Sequence, residues 1–180
     1  MILDRHQTQA LCVDIQERLL PHIHGHGELV RRSATLIRGL RILDVPIIVT
    51  EQYTKGLGTT VPEIASALGT YQPIEKMSFS CCGNPDVEAV VLGSRRHQII
   101  VFGIEAHVCV QQTVLDLLAH GQKVVVIDDC VSSRSANDAR VAIERMRQAG
   151  AVVSTMESVL FELLRVSGTQ EFKSISALVK

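Results

Sequence analysis

The sequence contains no tryptophan, and aromatic residues occupy only 3% of its 180 positions. Proteins that bind single-stranded nucleic acid stack bases on aromatic side chains, so this shortage argues against that class. No apolar run approaches the ~20 residues that a membrane-spanning helix needs, and the polar start MILDRHQTQ is unlike a signal peptide. A formal net charge of −1 also gives neither nucleic acid nor an anionic membrane an electrostatic reason to bind.

The chain also lacks the CxxC spacing of a thioredoxin-type redox site, although it has five cysteines. An odd number of cysteines without a secretion signal indicates reduced thiols, and predicts a cytoplasmic protein. Cys12 and Cys130 lie in or directly after apolar runs and are expected to be buried structural thiols. Cys81 and Cys82 are adjacent, which strains a mutual disulfide, and are expected near the entrance of a site.

Short apolar runs rich in valine and isoleucine alternate with amphipathic segments along the whole chain. Because these runs are continuous, they are typical of strands buried on both faces. The predicted strands are Ala10–Ile15, Val45–Thr50, Gln98–Gly103, Lys123–Asp128 and Ala151–Thr155, with a short sixth near Pro73–Met77. The predicted helices are Glu28–Leu43, Pro85–Gly93, Val108–His120, Asn137–Gln148 and Glu157–Arg165. This order predicts one α/β domain with a doubly wound, mostly parallel, five- or six-stranded sheet and helices on both faces, as in Rossmann-like folds.

Three groups that can perform chemistry follow predicted strands, at the edge where such sheets bind ligands. Asp14 closes the first strand, Lys76 lies in PIEKMSF, and Cys109 begins a helix in GIEAHVCV. Taken singly, Asp14 can be a cap of backbone N–H groups, Lys76 a solvated surface lysine and Cys109 a buried structural thiol. At a helix start, however, the macrodipole and free N–H groups favour a thiolate and can stabilise an oxyanion. Together the three predict a nucleophile, a base and an orienting group.

Long segments around these residues resemble the isochorismatase-like cysteine hydrolases, a family that includes nicotinamidases and N-carbamoylsarcosine amidohydrolase. The resemblance is carried by CVDIQ, EKMSFS, VFGIEAHVCVQQTVLDLLAHGQKVVVIDDCVSSRS and TMESVLFELL, and extends from about Thr8 to Leu164. The stretch VTEQYTKGLGTTVPEI is similar to the subgroup called isochorismatase-domain-containing proteins. The resemblance implies that residues 1–180 form a single hydrolase domain of this fold.

The resemblance also implies a role for each residue of the trio. Asp14 would be the general base for Cys109 and then the acid for the leaving group, and Lys76 would hold the pair in place. Cys109 would attack a carbonyl carbon and form a thioester. The family's non-proline cis peptide would fall at Ile104–Glu105, where it would aim the N–H groups of Glu105 and Cys109 at the oxyanion.

Further residues are candidates from their positions alone. Gln16, Tyr53 and Phe79 are candidates for substrate binding, although each is equally expected in the core or at the rim. His107 lies two residues from Cys109, where the side chains diverge, so it is expected to be structural or at the pocket rim.

The metal ligands of nicotinamidases, an Asp-x-His and a further histidine, have no counterpart in EQYTKG after Thr50. The alternating His22, His24 and His26 can in principle hold a transition metal, but solvated loop histidines are the favoured interpretation. We therefore expect no catalytic metal and no cofactor.

These observations predict a cytoplasmic cysteine hydrolase that acts on an amide or related carbonyl group of a small molecule and forms a homo-oligomer. One alternative is an oligomeric binding or interaction protein on the same fold, without turnover. A second is a thiol redox protein, in which Cys81 or Cys82 would have to reach Cys109.

Overall fold

The computed structural model describes residues 1–180, the whole chain. Six strands form a single parallel sheet in the order β3-β2-β1-β4-β5-β6. Their bounds are β1 Thr8–Val13, β2 Ile47–Gln52, β3 Ile74–Lys76, β4 Gln98–Ile104, β5 Lys123–Ser132 and β6 Val152–Ser154. The predicted short sixth strand is confirmed as β3, at one edge of the sheet, so the sheet has six strands rather than five.

Eight α-helices surround the sheet. Their bounds are α1 His26–Ile42, α2 Thr54–Leu57, α3 Pro62–Leu68, α4 Pro85–Leu92, α5 Gln111–Ala119, α6 Ala136–Gln148, α7 Met156–Leu164 and α8 Gln170–Leu178. Helix α1 packs with α3, α7 and α8, while α5 packs with α6. The doubly wound α/β prediction is therefore confirmed. No helix has both the length and the apolar character that crossing a bilayer requires.

Helices α2, α3 and α8 were not predicted from the sequence. Helix α2 has only four residues, none of them buried, and α3 has seven. Helix α8 buries only Ile175. By contrast, α4 begins as its sequence predicts, since the Asn84 side chain accepts hydrogen bonds from the N–H groups of Asp86 and Val87 ahead of Pro85.

The two central strands, β1 and β4, are buried along their whole length. They lie side by side although the chain forms β2 and β3 between them, so the winding direction of the sheet reverses at this pair. Their ends approach closely at Gly103, where a Cβ would lie 2.1 Å from the carbonyl oxygen of Val13 and φ is +124°. Glycine is therefore required there, and the crevice between the carboxyl ends of β1 and β4 is the place where this architecture binds ligands.

Candidate active site

A buried ion pair lies at the carboxyl edge of the sheet. Asp14 directly follows β1, with a left-handed φ of 51°, and Lys76 is the last residue of β3. Their side chains are both 0% exposed, and Lys76 Nζ lies 2.6 Å from Asp14 Oδ2. The second carboxylate oxygen, Oδ1, accepts a hydrogen bond of 2.7 Å from the hydroxyl of Thr50. The sheet thus brings together two residues that lie 62 positions apart in the chain.

The ammonium group of Lys76 is enclosed by oxygen acceptors. Besides Asp14, Nζ donates to Gln52 Oε1 at 2.7 Å and to the carbonyl oxygens of Ser78 and Phe79 at 3.2 and 3.1 Å. Burial lowers the pKa of Lys76, but the charge and hydrogen bond of Asp14, together with smaller contributions from Cys81 and Cys109, outweigh it, so the pKa of Lys76 is raised overall. A charged, fully hydrogen-bonded lysine at this point holds the carboxylate of Asp14 in one orientation.

Thr50 and Gln52 were not identified from the sequence, yet both contact the ion pair. They occupy alternate positions of β2, and side chains two residues apart on a strand point to the same face. Both are buried, as is the polar Glu51 between them. Three consecutive polar residues at the end of a strand that begins with Ile-Ile-Val were the signal available in the sequence.

Cys109 follows β4 in a π-helical turn, Ala106–Val110, that precedes α5. It is 5% exposed, and its carbonyl oxygen accepts a 2.7 Å hydrogen bond from the Thr113 hydroxyl. Burial raises the pKa of the Cys109 thiol above that of a free cysteine, the Asp14 carboxylate raises the pKa further, and Lys76 partly opposes this. The expectation that the helix start favours a thiolate is therefore wrong for the resting site, because burial and Asp14 outweigh the helix.

The peptide bond between Ile104 and Glu105 is cis, at the position expected from the resemblance. The N–H groups of Val108 and Val110 both donate to the carbonyl oxygen of Glu105, at 3.1 and 3.2 Å, and so begin the turn that carries Cys109. The N–H of Glu105 itself donates no hydrogen bond within the protein. One unused backbone donor therefore lies at the start of the nucleophile's turn, where an oxyanion needs it.

The Glu105 carboxylate is bound to Arg134 rather than to a residue of the trio. Its Oε2 accepts hydrogen bonds from the backbone N–H and from Nε of Arg134, at 3.2 and 3.1 Å. Glu105 thereby ties the turn after β4 to the segment after β5.

The three candidate substrate-binding residues have different surroundings. The Gln16 side chain is 0% exposed and bonded only to backbone, and its part in substrate binding stays a prediction. Its Nε2 donates to the carbonyl oxygens of Gln52 and Gly58, and its Oε1 accepts from the N–H of Gln52. Gln16 therefore fixes the loop after β2. Tyr53 and Phe79, in contrast, are 43% and 55% exposed.

Exposed apolar side chains follow both β2 and β3. Tyr53 donates its N–H to the carbonyl oxygen of Lys76, and Met77, next to Lys76, is 68% exposed. We call Tyr53, Met77 and Phe79 the apolar rim. The backbone of the rim adjoins the buried ion pair, since Nζ of Lys76 donates to the carbonyl oxygen of Phe79 and Met77 follows Lys76 in the chain.

All five cysteines are free, and four are buried. The expectation that Cys81 lies at the site entrance is wrong, because it is 0% exposed and packs behind Asp14, with its Sγ 3.8 Å from the Thr50 hydroxyl. Cys82 is half-buried. His107 contacts Ser133, with Nδ1 2.9 Å from Oγ, which is the structural role expected for it.

Nowhere in the 180 residues do three or more metal-ligating side chains of His, Cys, Asp or Glu come together. His22 ends a short 3-10 turn, His26 begins α1, and His24 is tied through its backbone to Ser132 and Ser133. The three histidines thus belong to different local structures.

Comparison with known proteins found a matching family and similar structures. A sequence model of the isochorismatase domain matches residues 8–158. Isochorismatase domain-containing protein 1 of Salmo salar is 41% identical over 176 residues, which are 96% of this chain and 61% of the salmon protein. This chain thus spans less than two thirds of that relative.

Solved structures show the same fold. A MAR1 ribonuclease from Caenorhabditis elegans has a TM-score of 0.93 and 39% identity, covering 99% of this chain and 92% of that chain. The YcaC gene product of Escherichia coli, described as an octameric hydrolase of unknown specificity, has a TM-score of 0.92 and 24% identity over 99% of this chain and 90% of that chain. The likeness to YcaC concerns the fold alone.

Proposed function

The chain belongs to the isochorismatase family, and from this premise we propose that it is a cysteine hydrolase that cleaves an amide or related carbonyl C–N bond of a small molecule. The observation that carries the proposal is the buried, fully hydrogen-bonded Asp14–Lys76 pair beside Cys109, at the reversal point of the sheet. A costly buried ion pair next to a thiol is an arrangement that nucleophilic catalysis needs and a structural core does not.

In the first step Asp14 takes the proton of the Cys109 thiol as Sγ attacks the substrate carbonyl carbon. Because the raised thiol pKa keeps Cys109 protonated at rest, activation is a proton transfer at the moment of attack. The carbonyl π electrons move to the oxygen. The N–H of Glu105, which has no acceptor in the protein, is the proposed hydrogen-bond donor to that oxyanion.

Collapse of the tetrahedral intermediate breaks the C–N bond. The protonated Asp14 gives its proton to the leaving nitrogen, so an amine or ammonia departs and a Cys109 thioester remains. Water then attacks the thioester carbon while Asp14 takes the water's proton. The C–S bond breaks, Asp14 returns the proton to Cys109 Sγ, and the carboxylic or carbamic acid leaves. Lys76 stays protonated throughout and keeps Asp14 aligned, as its four oxygen contacts indicate.

We expect a panel of primary amides and carbamoyl compounds to contain a substrate that leaves an acyl group on Cys109. After an acid quench, mass spectrometry of the peptide that carries Cys109 should show the acyl mass, and ammonia release should accompany it. Cys109→Ala should lose both signals while keeping its circular dichroism spectrum. The matched control is Cys82→Ala, a half-buried thiol outside the trio, which should retain turnover.

Other outcomes would contradict the hydrolase. Saturable binding of panel compounds without adduct or turnover would favour the non-catalytic binding protein. The panel of test compounds also contains a single-stranded RNA, because the similar C. elegans protein is described as a ribonuclease. RNA cleavage that survives Cys109→Ala would mean that the reacting group is a different one.

We also propose that the protein is a homo-oligomer that assembles through the apolar rim, Tyr53, Met77 and Phe79. Three exposed apolar side chains in adjoining loops are the kind of surface that protein contacts cover. The E. coli YcaC gene product is described as octameric, which is a property of that protein and is consistent with the proposal.

Light scattering after size exclusion should therefore give a mass above the 19.7 kDa of one chain at micromolar concentration. Met77→Asp and Phe79→Asp should shift the mass toward that of one chain, because a buried aspartate opposes association. Val166→Asp is the control, since Val166 is 60% exposed but lies after α7, away from the rim. A monomeric native protein, or an equal effect of Val166→Asp, would contradict the proposal.

A further inference from the structure

A second cleft lies at the end of the sheet opposite the trio. It has a volume of about 530 Å³, and its lining includes Arg41, Asp44, Thr70, Tyr71 and Arg96. Ile47 at the start of β2 also lines it, so the cleft opens at the amino ends of the strands, whereas Asp14 and Cys109 follow the carboxyl ends. Its size is within the range of small-molecule sites.

The guanidinium of Arg41 is held in place within this cleft. Its Nη1 donates a 2.9 Å hydrogen bond to the carbonyl oxygen of Ala67. The guanidinium also lies over Gly69, where a Cβ would be 3.1 Å from Nη2. Nε and Nη2 donate to no protein acceptor. These two nitrogens form the side of the guanidinium that binds an anion in a bidentate manner.

Arg96, which also lines the cleft, is likewise fixed by hydrogen bonds from its Nη1 to backbone carbonyl oxygens. Its Nη1 donates to the carbonyl oxygens of Arg5 and Thr8, at 2.5 and 2.7 Å, and its Nε and Nη2 also have no protein acceptor. Neither Arg41 nor Arg96 takes part in an ion pair. Two guanidiniums, each fixed through its Nη1 atom, thus line one cleft with their Nε and Nη2 donors unused.

Two hydroxyl groups add to this donor set. Tyr71 packs its ring against the hydrophobic core and lines the cleft, and Thr70 beside it is exposed. Neither hydroxyl has a protein hydrogen-bond partner, so each can donate to a ligand. A carboxylate has two oxygens and would leave much of this set unused, whereas the terminal oxygens of a phosphate group match it better.

We propose that this cleft is a binding site for a small phosphate-bearing anion, with the phosphate group held between Arg41 and Arg96 and oriented by the hydroxyls of Thr70 and Tyr71. Asp44, also in the lining, is the one carboxylate that faces the bound anion and weakens its binding by charge repulsion. Binding here is independent of Cys109, since the two sites lie at opposite ends of the sheet.

The test is a calorimetric titration of the full chain with inorganic phosphate and with glycerol phosphate, at constant ionic strength, with acetate as the comparison anion. We expect saturable phosphate binding with a Kd of about 1 mM or below, and weaker binding of acetate. Arg41→Gln and Arg96→Gln should each raise the Kd by about tenfold or more, the range expected when a charged hydrogen-bond partner is lost. Tyr71→Phe, which removes only the hydroxyl, should raise it less.

Asp44→Asn should act in the opposite direction and tighten phosphate binding, because it removes the facing negative charge. Asparagine also tolerates the φ of 54° at this position, so the fold should be kept. The matched controls are Arg38→Gln, one turn earlier in α1, and Arg95→Gln, next to Arg96. Both are exposed arginines outside the cleft and should leave the Kd unchanged.

Three results would overturn the site: no saturable phosphate binding, an equal loss in the Arg38 and Arg95 controls, or no tightening in Asp44→Asn. Equal losses would mean diffuse surface charge. Cys109→Ala should bind phosphate as the native protein does, so failure of the hydrolase proposal would leave this site standing, and the reverse also holds.

Discussion

Asp14→Asn is expected to lower turnover by roughly 10²–10⁴-fold, the usual contribution of a general base, while making Cys109 react faster with iodoacetamide at neutral pH. The Asp14 carboxylate raises the pKa of the Cys109 thiol, and Lys76 lowers it. Replacing Asp14 by the neutral amide removes the first effect and leaves the second. The thiolate fraction of Cys109 therefore rises, although no base remains to carry protons through the reaction.

The measurement is the alkylation rate of Cys109 against pH, followed by mass spectrometry, beside turnover of the same protein. Relative to native, the alkylation profile of Asp14→Asn should move to lower pH and that of Lys76→Met to higher pH. Asp116→Asn is a matched control, because Asp116 bonds the Ser80 hydroxyl rather than the ion pair. Alkylation falling in Asp14→Asn would contradict the expected rise in thiolate fraction, and would mean that Asp14 promotes the attack of Cys109 on iodoacetamide as a base.

Lys76→Met is expected to destabilise the folded protein by about 3–5 kcal/mol, the cost of leaving one member of a buried ion pair without its partner. Both side chains are 0% exposed, so solvent does not screen the remaining Asp14 carboxylate. The methionine retains most of the lysine's volume, which separates the charge effect from a cavity. The measurement is urea unfolding followed by circular dichroism.

The pH dependence follows from the raised pKa of Lys76 in the folded protein. A raised lysine pKa stabilises the fold fully below the ~10.4 pKa of an unfolded lysine, and the stabilisation is lost as pH rises through the folded value. The stability difference between native and Lys76→Met should thus be constant from pH 7 to about 10.

The double variant Asp14→Asn/Lys76→Met completes the cycle. It removes both charges, so its loss of stability should be clearly smaller than the sum of the two single losses. Strictly additive losses would mean that the pair is not coupled in the folded protein, contrary to the 2.6 Å contact.

Much of the fold was predictable, because it depends on local patterns. Continuous Val/Ile runs identify β1, β2, β4, β5 and β6, and their alternation with amphipathic segments predicts a parallel sheet. Even β3, with three residues, was expected. Helix α8 was missed although it is as long as the predicted α7, and it buries only Ile175.

The supporting contacts of the site were less predictable. Position after a strand was enough to single out Asp14, Lys76 and Cys109, but Thr50 and Gln52 contact the ion pair only through the register of β2 against β1 and β3. The backbone contacts of Gln16 were unpredictable for the same reason, since its partners Gln52 and Gly58 are 36 and 42 residues away. The second cleft joins Arg41 and Arg96 across the sheet, and no sequence motif marks it.

By itself the sequence determined the fold class, the family resemblance and the choice of Asp14, Lys76 and Cys109 as candidates, because strand endings and a long local motif are written in consecutive residues. Only the tertiary structure decided the direction in which the pKa of Cys109 is shifted. A helix start lowers a thiol pKa when considered alone, but burial and the charge of Asp14, which lies 95 residues away in the chain, reverse the result. Desolvation and through-space charge depend on which residues the fold places together, and a local sequence pattern does not contain that information.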